Sequence, residues 1–329
     1  MSVLSAPYFH DEAKAYEFVE AHIWADGRVC PFCGSIGNSV LLKGKSTRIG
    51  LYKCRDCRKP FSVKIGTIFE GSHIPLHLWL QGIALMSASK KGISANQLHR
   101  TLSITLKSAW FMAHRIRAAM DPFFAKKPTP NMGGEGKIVE ADETYIGKRD
   151  GKPSEPDTFV SGFGWVEHPK VETQRKVVAL VERGGEVRSF HVDRVDGETV
   201  REILLSNVDQ QSELMTDEAP VYKRPGWKFA NHLSVNHGQE EWVRGYAHTN
   251  TIEGYFGVFK RGMRGIYQHC DHKHLHRYLA EFDFRYNSRV ALGVNDEARA
   301  VKALKGISGK RLTYRTTRRA KGKQPQSAR

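Results

Sequence analysis

Apolar residues in this chain keep a helical rhythm first and a strand rhythm later. Between His73 and Met120 the spacing is helical: Leu76, Trp79, Leu80 and Ile83 share one face behind Pro75, which suits a first helical turn. Gly92 ends that helix, and Ser94 is placed to cap a short one carrying Ala95, Leu98 and Leu102 on one side. After Ser103 and Ile104, a longer helix is striped by Leu106, Ala109, Trp110, Ala113, Ile116 and Met120, with Lys107, Arg115 and Arg117 largely off the stripe. From Lys137 the pattern turns strand-like. Ile138 and Val139 lead into a strand closed by Asp142. Lys176 to Glu182 reads as a buried strand with Val187 to Val195 as its hairpin partner across Gly184 and Gly185. Val200, Ile203, Leu204 and Val208 mark a helix, Leu214 to Asp217 a strand ending on a carboxylate, and Thr249 to Lys260 another helix. Strands, a helix, a strand and later helices predict an α/β domain with a mixed sheet flanked by helices.

Breaks in the pattern suggest boundaries. Pro122 to Gly136, with Pro128, Pro130, Gly133 and Gly134, reads as a linker, and Gly147 to Gln174 as a long loop after the first strand. From Lys310 the chain reads as a disordered basic tail.

The chain has 329 residues and a formal net charge of +16, and residues 302–329 carry ten Lys or Arg and no acid. That excess makes a nucleic acid the natural partner ahead of a membrane surface. No stretch approaches the length of a transmembrane helix, and Met1 to Glu20 has no secretory pattern. A reducing, cytoplasmic setting is therefore expected, where an odd count of five cysteines argues against a disulfide framework.

Four of the five form Cys30-Pro31-Phe32-Cys33 and Cys54-Arg55-Asp56-Cys57, two tight knuckles twenty residues apart. Two such turns aim four thiolates at one point, a closed S4 site that suits one structural Zn2+. Val40 to Leu42 and Leu51 to Lys53 read as short strands between them. The short helix, tight turn and basic second helix that follow have a helix-turn-helix arrangement, which would set the second helix in a major groove with Lys107, Arg115 and Arg117 as contacts.

Asp142, Asp217 and Glu253 stand at two strand ends and on one facing helix, positions from which three hard oxygen ligands can converge. Such a set suits Mg2+ or Mn2+, and two ions about 4 Å apart can clamp a scissile phosphate. Lys260 follows Glu253 by seven residues and returns to nearly the same helix face, where it can hold a DNA phosphate, with Arg261 and Arg264 extending the basic surface.

These residues, taken together, resemble a known family. Cys30 to Gly34, Tyr52 to Arg58, Phe61 to Phe69, Gly92 to Leu98 and Ala109 to Arg117 look like the N-terminal part of bacterial insertion-sequence transposases. Asp142 to Gly147, Thr216-Asp217, His248 to Gly254 and Glu281 to Asn287 look like their catalytic part, a retroviral-integrase-like domain of ribonuclease-H fold. The resemblance implies a zinc ribbon, recognition of the element's terminal inverted repeats, and a metal-binding triad of Asp142, Asp217 and Glu253. That triad would cleave DNA and transfer the freed 3′-hydroxyl to target DNA, with at least two protomers on the DNA and a nucleoid-associated location. Related groups carry Asn or His in the third position, so Asn250 competes with Glu253.

The implied organisation is an N-terminal helical segment (1–25), a zinc ribbon (26–70), a helix-turn-helix domain (71–121), a linker (122–136), the catalytic domain (137–290) and a basic tail (291–329). His237 is placed either to touch substrate or as a structural histidine, and the run His269 to His276 matches no closed zinc motif. Tyr145, Trp242 and Tyr267 are candidates for stacking on bases or for core packing. Two rivals keep the fold: a DNA-binding regulator with a relic catalytic domain, and a structure-selective nuclease that cuts without joining.

Overall fold

The computed structural model describes residues 4–124, 129–147, 158–160, 164–166 and 174–313. They fall into two compact units. One draws on residues 4–83, 95–119 and 304–313, the other on 84–94 and the described part of 120–303.

The first unit begins with α1 (Glu12–Ile23), whose start is capped by Asp11 accepting from the Lys14 amide at 2.8 Å. Three short antiparallel strands follow: β1 (Ser39–Leu41), β2 (Tyr52–Cys54) and β3 (Pro60–Phe61). Next come α2 (Leu76–Ala88), which continues into the second unit, α3 (Ala95–Leu102) and α4 (Leu106–Met120). These helices lie where the apolar stripes set them. Ser103 turns the chain between α3 and α4 with a left-handed φ of 50°. A methyl at Gly82 of α2 would lie 2.8 Å from Met112 Sδ, so the missing side chain is what lets α4 approach.

Two readings of α4 are corrected. Arg115 and Arg117 are 5% and 2% exposed, so neither offers its charge to a groove. The stripe reading failed because residues 112–120 are buried on every side of the helix. Arg115 instead donates to the carbonyls of Ile68 (2.6 Å), Glu70 (2.9 Å) and Leu312 (3.2 Å), and burial lowers its pKa. Arg115→Ala is expected to cost about 1.5–3 kcal/mol of stability, the worth of charge-assisted bonds to buried carbonyls. Calorimetry checks this, and the salt dependence of DNA binding should stay unchanged.

The last described residues are not a tail. An amphipathic helix near the C-terminus, described below, leads to Ile307, which is fully buried. Lys310 donates to the Ala119 carbonyl at 3.1 Å, and Ser308 bridges to Thr67. Residues 314–329 of the expected disordered segment lie outside the described residues.

The second unit is built on a five-stranded mixed sheet. Its strands are β4 (Ile138–Ile146), β7 (Arg175–Glu182), β8 (Val187–Val192), β9 (Glu213–Thr216) and β10 (Asn231–Ser234). Between β4 and β7 the strands β5 (Thr158–Val160) and β6 (Gly164–Val166) form a hairpin in the segment expected to be all loop. Residues 148–157, 161–163 and 167–173 of that segment lie outside the described ones.

The sheet order is β10-β9-β4-β7-β8, antiparallel from β4 to β8 and parallel from β4 to β10. One face packs on α5 (Gly197–Asn207) and α6 (Pro220–Gly226), with Val139, Ala141, Leu180, Val200, Leu204 and Tyr222 in the shared core. The small hairpin β11 (Val243–Arg244) and β12 (Ala247–His248) then leads into α7 (Asn250–Gly262). With α8 (Leu275–Tyr286), α7 covers the other face through Ile252, Tyr255, Phe259 and Phe282 against Val177, Ala179 and Val181. The short helix α9 (Asp296–Lys305) closes the described elements. Helices on both faces of this mixed sheet make the ribonuclease-H-like α/β fold expected of the chain.

The linker reading is also corrected in its ordered part. Met132 is 2% exposed in the α5-side core, its amide donating to Asn207 O at 2.8 Å, so residues 129–136 belong to the sheet unit. Residues 125–128 lie outside the described ones.

Candidate active site

Within the first unit the four cysteine sulfurs come together. Cys30 Sγ lies 3.6 Å from Cys57 Sγ, and Cys33 Sγ 3.6 Å from Cys54 Sγ. Sulfurs ~2.3 Å from one zinc at tetrahedral corners would sit about 3.8 Å apart, so the set fits that ion. The first knuckle is closed by the Gly34 amide donating to Cys30 O at 2.9 Å, with Gly34 at a φ of +76°. Among the described residues this is the only group of three or more His, Cys, Asp or Glu whose ligand atoms all lie within 4.8 Å of one another.

In the second unit Asp142 does not close β4. It is the fifth of nine residues, because β4 runs on alone with β7 as far as Ile146 after its pairing with β9 stops at Glu140. That one-to-one register with β9, continued two residues, sets Asp142 beside Asp217. In-register neighbours on parallel strands share a face, and Glu140, two residues before Asp142, shares it too. Glu140 identifies that face as the α7 side, because it bonds the start of α7 directly. Asp142, Asp217 and Glu253 therefore lie on one side of the sheet.

Their charges interact. The Asp142 carboxyl is pushed up to about 8, first by burial and then by the carboxylates of Asp217, Glu143 and Glu253. Burial also raises Asp217, partly offset by the Ala219 amide. Glu253 Oε1 accepts from Thr249 Oγ1 at 3.1 Å and lies 3.4 Å from His237 Nε2. The His237 ring sits 4.9 Å from Trp242, and its Nε2 also lies 3.2 Å from Thr249 Oγ1. It is held by its neighbours: the Glu218 carboxylate accepts the His237 and Gly238 amides at 3.0 and 3.1 Å. Asn250, at the first turn of α7, is exposed. Glu143 points to the opposite face, accepting from Tyr222 at 2.7 Å.

Of the basic candidates, Lys107, Arg261 and Arg264 are exposed and Lys260 is half-buried. Arg264 lies in a π-helical turn, Met263–Tyr267, that continues α7. Tyr267 is a packing residue, edge-on to Tyr278 at 4.8 Å, whereas Trp242 is 56% exposed.

The residue that pattern reading passed over is Glu140. It is fully buried, yet takes a bond from Arg183 Nε at 2.6 Å, from Thr251 Oγ1 at 2.8 Å and from the Ile252 amide at 2.9 Å. Thr249, the residue before α7, makes no side-chain cap, so a strand carboxylate satisfies one of the free amides of the first turn. This fixes where α7 starts and so where Glu253 stands. The signal was a carboxylate two residues before Asp142, on its face, between the apolar Val139 and Ala141. Glu140→Ala leaves the buried Ile252 amide without its acceptor and is expected to cost about 1–3 kcal/mol, read from chemical unfolding.

Comparison with known proteins identifies two domains in the chain. Residues 133–287 match the ISXO2-like transposase domain and residues 10–60 the transposase zinc-ribbon domain. A protein of the transposable element ISH50 of Halobacterium salinarum, itself described as uncharacterized, is 28% identical over 295 residues, covering 84% of this chain and 91% of that one. The mariner Mos1 paired-end complex with Mg is 14% identical with a TM-score of 0.27, over 69% of this chain and 74% of that one. The Mos1 strand transfer complex is 10% identical with a TM-score of 0.20, over 66% and 78%. At these values neither bears on the fold or the chemistry. No helix among the described residues is long and apolar enough to cross a membrane. A zinc ribbon and a transposase domain of one kind, in this order on one chain, place it among the insertion-sequence transposases with an ISXO2-like transposase domain.

Proposed function

We propose that the chain binds the terminal inverted repeats of its element and catalyses DNA cleavage and strand transfer through Asp142, Asp217 and Glu253. The observation that carries this is the register of Asp142 with Asp217 on the sheet face where α7 presents Glu253. Two Mg2+ or Mn2+ ions, when bound, would polarise the scissile phosphate and stabilise the attacking and leaving oxygens.

The chain's own residues do the rest. Asp142 would be one of the ligands, and burial together with the neighbouring carboxylates raises its pKa. Glu140 and Thr249 hold the start of α7 and the Glu253 carboxylate. His237, beside Glu253, would donate a hydrogen bond to a substrate phosphate. Lys260, Arg261 and Arg264 would follow the DNA backbone away from the acids. The ribbon with α3 and α4 would read the ends, with Lys107 at a phosphate, and pairing two ends requires at least two protomers.

A metal-dependent assay on end-containing DNA tests this. Joined products with Mg2+ or Mn2+ are expected. Cut but unjoined products would point to a nuclease, and binding without either product to a regulator.

A further inference from the structure

We propose that the groove between α5 and α6 is a binding site for single-stranded DNA, separate from the carboxylates. This groove encloses about 620 Å3 on the sheet face opposite α7. It is lined by Arg201 of α5, by Lys223 and Arg224 of α6, and by Trp227 just past the end of α6. Glu198 is the only acid among its lining residues.

Three features select the occupant. Arg201, Lys223 and Arg224 are all exposed, and among the described residues none forms an ion pair or hydrogen bond. Exposed Lys and Arg beside exposed acids commonly pair, so three unpaired cations against one carboxylate make a site that wants a polyanion. Trp227 is 78% exposed, the most exposed large hydrophobic side chain described, and it sits at the rim of the same groove. An indole left in water beside unpaired cations is the pairing that single-strand sites use: cations track the phosphates while bases stack on the ring. The volume is the third. A space of this size falls in the ~300–1,000 Å3 range of small-ligand clefts, room for a nucleotide or two.

α6 begins three residues after Asp217, whose carboxylate accepts the Ala219 amide at 3.0 Å. The groove thus starts close along the chain to the reacting acids, on the other face of the sheet. The inference needs no catalysis, so it is tested without divalent metal, and its failure would leave the carboxylate reading untouched.

The experiment measures anisotropy of a labelled thymidine oligonucleotide of about 10 nucleotides, a length within the span of such sites, titrated with the full chain at several salt concentrations. A blunt duplex of equal length runs in parallel. Arg201→Ala/Lys223→Ala/Arg224→Ala, all surface changes, should flatten the slope of log affinity against log salt by about 2, or ~0.7 for each phosphate no longer neutralised. Trp227→Ala should weaken single-strand binding between about fivefold and 150-fold with little change in slope, and Trp227→Phe should restore most of it. Parental affinity and slope in the triple variant overturn the proposal. So does parental binding by Trp227→Ala, or a loss confined to the duplex.

Discussion

Asp142→Asn is expected to abolish DNA cleavage and joining while making the metal-free protein more stable. The first effect should reach about 1,000-fold or more, since losing a metal ligand forfeits several kcal/mol of charge stabilisation and each ~1.4 kcal/mol is tenfold in rate. The second follows from burial of the carboxylate and, after that, from repulsion by its neighbours. The Asp142 carboxyl stands near 8 in the folded chain against an ordinary value of 3.8. A folded state that keeps a proton the unfolded state releases loses stability as pH rises between those two values, and recovers it as pH falls. Asparagine removes the charge and with it that pH dependence. Melting curves of parent and variant without divalent metal should therefore converge near pH 4 and separate towards pH 8, with the variant the more stable. A variant less stable than the parent at pH 8, or one that still joins strands, contradicts the assignment.

Cys54→Ser, or stripping zinc with a chelator, is expected to unfold the ribbon and to cost end recognition rather than the catalytic fold. The ribbon has little else to hold it: its own buried cluster is Cys30, Tyr52, Cys54 and Phe61, and two of these are ligands. Structural zinc in small modules contributes about 10–16 kcal/mol of binding free energy at neutral pH, far more than so few apolar side chains can replace. Bound zinc should fall from about one ion per chain to none, and affinity for end-containing DNA should fall with it. The melting transition of the sheet unit should remain. Full retention of specific binding in the zinc-free protein would overturn the structural role.

Much of this was legible from the residues because local signals and tertiary needs agree. The helices at 76, 95 and 106 follow apolar stripes, and the hairpin at Gly184 and Gly185 follows a turn that favours positive φ. The cysteine knuckles were legible from spacing alone. What escaped was decided by partners distant in sequence. Arg115 and Arg117 read as surface charges, since nothing local reveals that residues 112–120 of α4 are enclosed on all sides. Glu140 was passed over because its worth lies in amides more than a hundred residues away. Asp142 was placed at a strand end, whereas only the β9 pairing ends near it. The C-terminal segment read as a tail from its charge, yet Ala303, Leu304 and Ile307 are 1% exposed or less.

That segment has a consequence for how the protein is made. Because residues 304–313 complete the same unit as the zinc ribbon, that unit cannot finish folding until the ribosome has passed the sheet domain and synthesised residues 304–313. By then the sheet domain has already emerged, so a nascent chain acquires its complete ribbon-bearing unit only when the acids that would cut DNA are also in place.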